Sequence, residues 1–430
     1  MKILRDESGQ VLVLSVFCLP ILLAFLALAV EVGLLFDAKR QLQTAADAAA
    51  IAGAAEINFG DFVSAAKTAA TQNGFTNGTN GVTVQVNPSG TTVPSPASGA
   101  FAGQSGYLEV IISQVEPTYF MNFVNSIINL NFGTMTVSAR SVAALGASQN
   151  CVYTLGTSGV DITVNGASQL NAPGCGILDN SSSSPAMSVS GSGMVTAGSV
   201  SVVGTAVTDN SGSKITPTAV NGVAPGSDPL AFLQPPSLAS SSCVADPING
   251  TFFAASAAKT VGPSSASGTV CYNGLNISNG ATVTLTPGTY VINGTFTISG
   301  GATLNAGSGT TFYLPSTSTG TGYVNGSVDI AGGVTVTLVA PTSGTYNGIL
   351  FYQDRSNPNT PTIAGGASAT MKGILYFPDA QVNMSNGTGT NMFTPIIAKT
   401  LSITGGSTFQ DNNYSGVNPS SPLSSPRLVE

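Results

Sequence analysis

The sequence lacks histidine and tryptophan altogether, and only 7% of its 430 residues are charged. Without histidine, a Ser-His-Asp triad, a Cys-His pair and an HExxH zinc site are all impossible. Its 12 basic residues are scattered among 19 acidic ones, and a net charge of -7 argues against contacts with nucleic-acid phosphates. We therefore expect no nucleic-acid partner and no cofactor. The shortage of catalytic side chains favours a protein that is not an enzyme.

Small and polar neutral residues are abundant instead. The 51 glycines and 24 prolines are accompanied by many Ser, Thr and Asn residues. This composition is typical of a β-rich fold with many tight turns outside the cytoplasm, and helices should be confined to the N-terminal region. The predicted fold class is therefore α+β.

Of the five cysteines, Cys18 lies in an apolar run and the other four lie in the polar remainder, at Cys151, Cys175, Cys243 and Cys271. Four cysteines allow three disulfide connectivities, and proximity along the chain favours Cys151 with Cys175 and Cys243 with Cys271. Zinc binding is the alternative, but the chain has no CxxC pair and no histidine. Disulfides imply an oxidising compartment.

An uncharged apolar run extends from Val11 to Val30. As a helix rising about 1.5 Å per residue it would be about 30 Å long, which matches the hydrocarbon core of a bilayer. The run predicts a single-pass transmembrane helix over about residues 11–30, and helix-forming sequence continues to residue 56 as a stalk. A signal peptide cleaved after Ala29 is the alternative, although the run is longer than the usual apolar region of a signal peptide. The cysteines favour placing the rest of the chain outside the cytoplasm.

The N-terminal region also resembles a known family. The features that carry the resemblance are Ser8-Gly9-Gln10, the apolar span with Pro20, Glu31 followed by Gly33, and the Ala-rich stretch LQTAADAAA at residues 42–50. Together they resemble the N-terminal region of TadE/TadG-like proteins of the Tad (Flp) pilus system. The resemblance implies a bacterial inner-membrane protein whose partners are other Tad pilus-assembly proteins.

One position departs from the pattern of processed pilin subunits. Such subunits carry glutamate five residues after a glycine cleavage site, whereas counting from Gly9 places Leu14 there. An unprocessed TadG-like anchor is therefore the closer match than a filament subunit. We interpret Glu31 as an interfacial residue that ends the membrane span.

Residues 57–147 predict a small α/β module. A helical pattern at residues 61–72 precedes strand-like alternation at 81–86, 106–113 and 133–145, with a short helix predicted at 117–129. A long helix that leads into a small sheet is a pilin-like plan.

From residue 151 to 411 an alternating motif that ends in a small-Gly corner recurs. Its copies are ITVNGAS (162–168), MSVSGSG (187–193), NISNGATVTL (276–285), FTISGGATL (296–304), VDIAGGVTVTL (328–338), TIAGGASATM (362–371) and LSITGGSTF (401–409). Because one such unit cannot bury its apolar side alone, the repeat predicts stacked coils of a β-solenoid, with a right-handed parallel β-helix favoured and a β-sandwich as the alternative. A Pro-rich excursion at 212–268 interrupts the repeat, and residues 412–430 predict a flexible tail.

Three features of the sequence are candidate sites. Two D-x-S-x-S matches, Asp179 to Ser183 and Asp209 to Ser213, follow the pattern of a metal site in some TadG-like proteins but lack the α/β surroundings that such a site needs. The adjacent pair Asp354-Arg355 is a candidate acid–base pair, with turn capping favoured. Aromatic residues cluster in TFYLP (311–315), GILFYQD (348–354) and GILYFP (373–378), as a sugar-stacking platform or, preferably, as core.

The predicted function is that of a non-catalytic, membrane-anchored protein of Tad/Flp-type pilus assembly or surface adhesion. It would sit in the bacterial inner membrane with its C-terminal bulk in the periplasm or at the cell surface, and surface polysaccharide is a further candidate partner. The alternative is a carbohydrate-active β-helix enzyme or a polysaccharide-binding surface protein. A cell-envelope spacer is the third possibility.

Overall fold

The computed structural model describes residues 8–57, 61–87, 95–104, 106–128, 133–147, 150–209, 211–237, 239–248, 258–264, 268–307, 309–364, 368–385, 394–410 and 423–430. The chain divides into two compact units, Met1–Gly146 with Ser425–Glu430, and Ala147–Ser424. The predicted anchor and small module fall in the first unit, and the predicted β domain falls in the second.

The first unit combines helices with a small antiparallel sheet. Its elements in chain order are α1 (Ser8–Ala55), α2 (Phe62–Gln72), β1 (Val82–Asn87), β2 (Tyr107–Pro117), α3 (Phe120–Ile128) and β3 (Thr134–Ala147). β1 pairs with β2 and β2 pairs with β3, both antiparallel. The helix α1 continues through Pro20 without interruption.

Small side chains bring the elements of the first unit together. The second half of α1 is rich in buried alanines and packs on α2 and on the apolar face of β2. Gly53 marks the closest approach, because a Cβ there would lie 2.3 Å from the Leu108 side chain and 2.9 Å from the Phe62 carbonyl oxygen. The core therefore depends on the Ala-rich stretch that ends α1.

The second unit is built from β-strands. They are β4 (Asn150–Thr154), β5 (Ile162–Val164), β6 (Gln169–Asp179), β7 (Met187–Val189), β8 (Met194–Val202), β9 (Ala206–Thr208), β10 (Lys214–Thr216), β11 (Val220–Asn221), β12 (Val244–Ala245), β13 (Lys259–Val261), β14 (Thr269–Asn273), β15 (Leu275–Ile277), β16 (Thr282–Leu285), β17 (Gly288–Ile292), β18 (Thr295–Ile298), β19 (Thr303–Ala306), β20 (Thr310–Leu314), β21 (Ser327–Ile330), β22 (Thr335–Val339), β23 (Ile349–Gln353), β24 (Thr362–Ala364), β25 (Ser368–Lys372), β26 (Ile374–Ser385), β27 (Ile396–Thr404) and β28 (Thr408–Gln410), with a 3₁₀ turn at Ser240–Ser242.

Among the described strands of this unit, the pairings are all parallel and form three rows. One row runs β12-β14-β17-β20-β23-β26-β27-β4-β6-β8-β11. A second row runs β15-β18-β21-β24-β26-β27-β5-β7-β9. The third has two parts, β13-β16-β19-β22-β25 and β28-β6-β8-β10. The predicted N-terminal apolar helix and the predicted parallel pairing in a mostly β C-terminal region are confirmed.

The order of the strands in these rows differs from their order in the chain. The first strand, β4, lies in the middle, between β27 and β6. The first strands of the unit run outward from β4 to β8 and β11, the next strand, β12, lies at the opposite end of the row, and the later strands return until β27 pairs with β4. A strand near the end of the unit, β27, therefore pairs with its first strand, β4, and Ile396 pairs with Val152.

Inward-facing apolar side chains fill the stack. Tyr290, Phe312 and Phe351 occupy one registered column, and the ring centroids of Phe312 and Phe351 lie 5.0 Å apart. The repeat's small-Gly corner is a turn with left-handed backbone, as at Asn279 (φ 56°) and Gly280 (φ 71°). Glycine and asparagine tolerate this conformation, which explains their recurrence after each strand.

Part of the predicted flexible tail is a strand instead. The strand β29 (Ser424–Leu428) adjoins β3 in the sheet of the first unit. The Val142 N–H donates to the Glu430 carbonyl oxygen at 2.7 Å, and Arg140 forms an ion pair with the Glu430 side chain at 2.9 Å. Residues 411–422 of the predicted tail lie outside the described residues.

Candidate functional site

Most of the apolar side chains that the structure describes between Val16 and Phe36 of α1 are exposed. Leu22, Phe25 and Leu26 are all exposed, as are further leucines and valines along the helix. Among the described residues, one helical stretch, Ile21–Ala55, is long and apolar enough to cross a membrane. Since exposed apolar surface of this extent is unfavourable in water, the helix is suited to lipid.

The exposed apolar surface does not stop at residue 30. Val32 and Leu34 are exposed, Phe36 is 67% exposed, and the first exposed charge after them is Asp37. Glu31 interrupts this run in the sequence but not on the surface, because its side chain is only 5% exposed. Our interpretation of Glu31 as an interfacial side chain that ends the span therefore differs from the structure.

Glu31 contacts the N-terminus of α3. Its Oε2 accepts a hydrogen bond from the Met121 N–H at 3.1 Å. A carboxylate at a helix N-terminus satisfies an orphan N–H and complements the positive end of the helix dipole. Glu31 thus fixes α3 beside α1.

A cavity of about 300 Å³ adjoins Glu31. Three acidic residues, Glu31, Asp37 and Glu116, are among the residues that line it.

In the second unit, the three aromatic segments fill the interior and a covered outer row. Phe312, Phe351 and Phe377 face the core, whereas Tyr313, Tyr352 and Tyr376 occupy the outward positions of neighbouring strands. These three tyrosines, which we call the tyrosine row, are nonetheless buried. Core packing, the favoured interpretation of the aromatic clusters, is therefore confirmed, and the rings present no open platform for sugars.

The tyrosine row is covered by residues 228–234 of the Pro-rich excursion, which we call the covering segment. Tyr352 donates its hydroxyl hydrogen to the Leu233 carbonyl oxygen at 3.0 Å, and Tyr376 donates to Asp228 Oδ2 at 2.6 Å. Leu230 and Leu233 pack on the rings in one apolar cluster. The excursion is therefore bound to the stack at this segment.

Asp354 and Arg355 point to different partners. Arg355 donates to the Leu230 carbonyl oxygen at 2.6 Å and lies over the Tyr376 ring, which ties it to the covering segment. Asp354 accepts hydrogen bonds from the Tyr313 hydroxyl at 2.8 Å and from the Ser316 hydroxyl at 2.9 Å.

The surroundings of Asp354 favour its charged form. Burial alone would raise its pKa, but hydrogen bonds from the Ser356 N–H, Tyr313, Ser316 and Thr319 outweigh burial and lower it. None of these described partners is a second carboxyl group. The arrangement matches turn capping rather than an acid–base pair.

Both D-x-S-x-S matches hold neighbouring coils together. The exposed Asp209 accepts from the Gly191 N–H at 2.7 Å and from the Ser213 hydroxyl at 2.9 Å, and hydrogen bonds from serine and backbone donors lower its pKa. Ser181 of the other match donates to the Gly159 carbonyl oxygen at 2.5 Å. In the part of the chain that the structure describes, no group of three or more His, Cys, Asp or Glu side chains is arranged to hold a metal ion.

A buried pair of carboxyl groups, Asp161 and Asp179, was missed by sequence reasoning. Burial, reinforced by the nearby Asp179 charge, raises the pKa of Asp161 to about 7, and burial raises that of Asp179 to about 6. Thr154 pairs with Asp179 across adjacent strands and contributes a buried hydroxyl between the two. The Thr154 hydroxyl is close enough to Asp161 to offset part of this rise in its pKa, but among the described residues none donates a hydrogen bond of ordinary geometry to either Asp161 oxygen. Both carboxyl groups are buried, so they favour the protonated form and are not accessible to a substrate.

The four predicted disulfide cysteines are joined in the pairing that chain proximity favours. Cys151 bonds to Cys175 and so links β4 to its neighbouring strand β6. Cys243 bonds to Cys271 and so attaches the residues that precede β12 to β14. Cys18, on the apolar part of α1, is free and exposed.

Within the described ranges, the chain thus combines one candidate membrane anchor, a small sheet packed on the second half of that helix, and a parallel β unit. Residues 9–56 match the family described as "Putative Flp pilus-assembly TadE/G-like", so the N-terminal segment carries the domain of that family and its resemblance is confirmed. No curated protein and no solved structure matched the chain. The family match thus covers almost all of α1 and stops where the small module begins.

Proposed function

We propose that this protein is a membrane-anchored, extracytoplasmic component of a Tad (Flp)-type pilus system, acting in pilus assembly or surface adhesion through its surfaces. The observation that carries the proposal is the coincidence of the TadE/G-like domain, residues 9–56, with the helix α1, whose first half exposes apolar side chains. An anchor of this kind holds the folded units at a membrane where pilus components assemble.

The localisation follows from the anchor and the disulfides together. Persistent disulfides require an oxidising compartment, and both pairs lie in the unit that follows α1. We therefore place α1 in the bacterial inner membrane and residues 147–424 in the periplasm or at the cell surface. The charges on the two sides of the apolar run are too balanced to orient it, since Lys2 and Arg5 face Lys39 and Arg40.

For the second unit we propose a right-handed parallel β-helix. Three rows of parallel strands, corners built on Gly and Asn, and a continuous apolar interior all support this architecture. Such a unit presents long lateral faces whose polar, sparsely charged residues suit contacts with another protein or with surface polysaccharide.

We also propose that the protein is not an enzyme. Its support is that Asp354 is held by four donors in a turn and that the Asp161 and Asp179 carboxyl groups are closed to solvent. The full chain and its Asp354→Asn variant would be incubated with a panel of polysaccharides, and new reducing ends would be measured. We expect no turnover by either protein. Turnover by the wild type that is lost in the variant would establish the enzyme alternative.

The pilus role is tested in the bacterium that encodes the chain. We expect deletion of the gene to reduce surface pili, measured by shearing and immunoblotting, and the wild-type gene to restore them. A Leu23→Asp variant, which places a charge in the middle of the apolar run, should fail to restore them, whereas Thr79→Asp at an exposed turn of the first unit should succeed. Unchanged piliation and unchanged surface attachment after deletion would refute the proposal.

A further inference from the structure

The helix α3 is the second apolar surface of the first unit. From Pro117 to Ala139 the sequence has no charged residue, and α3 lies within this stretch. Tyr119, just before the helix, is 70% exposed, and Phe123 on its first turns is 63% exposed. Large exposed aromatics on an uncharged segment mark a surface that meets something other than bulk water.

The position of α3 indicates what that surface meets. Through Met121, Glu31 holds the N-terminus of α3 against α1, at the level where the exposed apolar stretch of α1 is still continuing toward Phe36. The apolar surface of α3 is thus continuous with the surface that we assign to lipid. Because Asp37 and Glu116 line the adjoining cavity, this end of α3 has charged groups around it and belongs at the edge of the bilayer, not at its centre.

We propose that α3 lies in the interfacial layer of the membrane, with Tyr119 and Phe123 among the lipid headgroups and upper acyl chains. The inference rests on α1 being the membrane anchor. It makes Glu31 a positioning residue, whose carboxylate is shielded from lipid by capping α3. The bilayer then extends along α1 beyond residue 30, to about Phe36, and the first unit has two membrane contacts instead of one.

The absence of tryptophan from the chain makes the test direct, because a single introduced indole is the only one present. Tyr119→Trp and Phe123→Trp variants of the full chain would be reconstituted in phosphatidylcholine vesicles that contain lipid brominated either near the headgroup or near the bilayer centre. Zwitterionic lipid avoids repulsion of the neighbouring acids. Ile51→Trp is the matched control. Ile51 is an exposed position on α1, about 30 Å along that helix from Glu31.

We expect blue-shifted emission and strong quenching by lipid brominated near the headgroup for both α3 variants, with weaker quenching by lipid brominated near the centre. The control should emit like an indole in water and be quenched by neither lipid. Adding Glu31→Ala should reduce the quenching at position 123, and Glu31→Gln, which keeps an oxygen acceptor for the Met121 N–H, should retain it.

Three outcomes would overturn the proposal. Chains that float with the vesicles but whose α3 indoles behave like the control keep the anchor and refute the interfacial helix. Emission that shifts only as the ratio of protein to lipid rises shows that another chain, not lipid, covers α3. Chains that do not float with the vesicles refute the anchor and this inference together.

Discussion

At the scale of single residues, Asp161 carries a testable pH dependence. Its pKa is raised from 3.8 to about 7 because the carboxyl group is buried beside Asp179. The folded state therefore binds a proton that the unfolded state releases above pH 4. The stability that this group contributes is complete below about pH 4 and is lost as the pH rises through 7.

We accordingly expect Asp161→Asn to raise the free energy of unfolding by roughly 1–3 kcal/mol at pH 8 and to change it little at pH 4, because the amide has no charge to bury. Thermal melting of the full chain in detergent at both pH values measures this. Asp329→Asn, at an exposed position of β21, is the control and should have little effect at either pH. Equal destabilisation by Asp161→Asn at both pH values would contradict the account.

Glu109 is a buried acid of the first unit whose pKa shifts in the opposite direction to that of Asp161. Burial would raise its pKa, but hydrogen bonds from Asn87, the Ala97 N–H, Arg140 and Ser98 lower it overall. Its charged form therefore stabilises the first unit above the unfolded pKa, and that contribution is lost as the pH falls through the lower folded value. The carboxylate links β2 to β3 through its ion pair with Arg140.

We expect Glu109→Gln to destabilise the first unit by about 3 kcal/mol, the lower part of the range for a broken buried pair, since Arg140 is partly exposed. Hydrogen exchange followed by mass spectrometry should show faster exchange in peptides from β2 and β3 and unchanged exchange in β17 and β20. Glu116→Gln, on the same strand but with an intermediate exposure, serves as the control. Unchanged exchange in β2 and β3 would show that the ion pair between Glu109 and Arg140 does not stabilise the first unit.

At the scale of elements, the covering segment is held by few groups. Arg355 donates to two of its carbonyl groups, those of Leu230 and Leu233. Hydrogen bonds from a charged donor contribute about 1.5–3 kcal/mol each when they are removed. We therefore expect Arg355→Ala to loosen residues 228–234 and expose the tyrosine row.

Limited proteolysis within the excursion and nitration of tyrosines by tetranitromethane measure that loosening. Both should become faster in Arg355→Ala and remain slow in Lys372→Ala, an exposed cation on β25. If Tyr352 and Tyr376 remain as unreactive in Arg355→Ala as in the wild type, packing by Leu230 and Leu233 alone holds the segment.

Several elements followed directly from local sequence. The uncharged run and the Ala-rich stretch predict one long helix, and both halves are present in α1. The alternating residues before each Gly corner predict strands that cannot bury their apolar side alone, and those strands pair in parallel. Spacing along the chain also favoured the two disulfide pairs that the structure contains.

Other elements depend on contacts that no local pattern encodes. Asp161 and Asp179 resemble ordinary turn aspartates in the sequence, and they become a buried pair only because adjacent coils stack. In the sequence, Glu31 resembles a residue that ends a membrane span, because it is the first charge after the apolar run. Its contact with α3 involves residues about ninety positions later, which no local pattern indicates. Likewise, β29 adjoins β3, a strand almost three hundred residues earlier in the chain. The polar sequence of the C-terminal residues does not indicate that pairing.

At the scale of the whole molecule, the pairing of β27 with β4 and β5 makes the strand rows of the second unit continuous. Ile403 of β27 pairs with Val164 of β5, and both are buried in the shared core. Since a stacked array gains stability from each interface between neighbours, we expect this seam to join the two runs of strands into one cooperative unit.

We expect Ile403→Ala to cost about 2–5 kcal/mol and to split the unfolding of the second unit into two transitions, because it weakens the seam. Ile298→Ala, a buried isoleucine within the returning run, should cost a similar amount without the split. Calorimetry of the full chain in detergent distinguishes the two. A single transition in Ile403→Ala would show that the seam does not couple the runs.

The central claim is that α1 anchors the chain and leaves everything after it outside the cytoplasm. The most direct measurement labels single introduced cysteines with a membrane-impermeant maleimide in spheroplasts, using Gln104→Cys in an exposed loop of the first unit and Lys2→Cys before the apolar run, each in a Cys18→Ser background that removes the native free thiol. The account predicts that the chain resists carbonate extraction, that position 104 is labelled in intact spheroplasts, and that position 2 is labelled only after lysis. Labelling of position 2 but not of position 104 in intact spheroplasts, or release of the chain from the membrane, would contradict it.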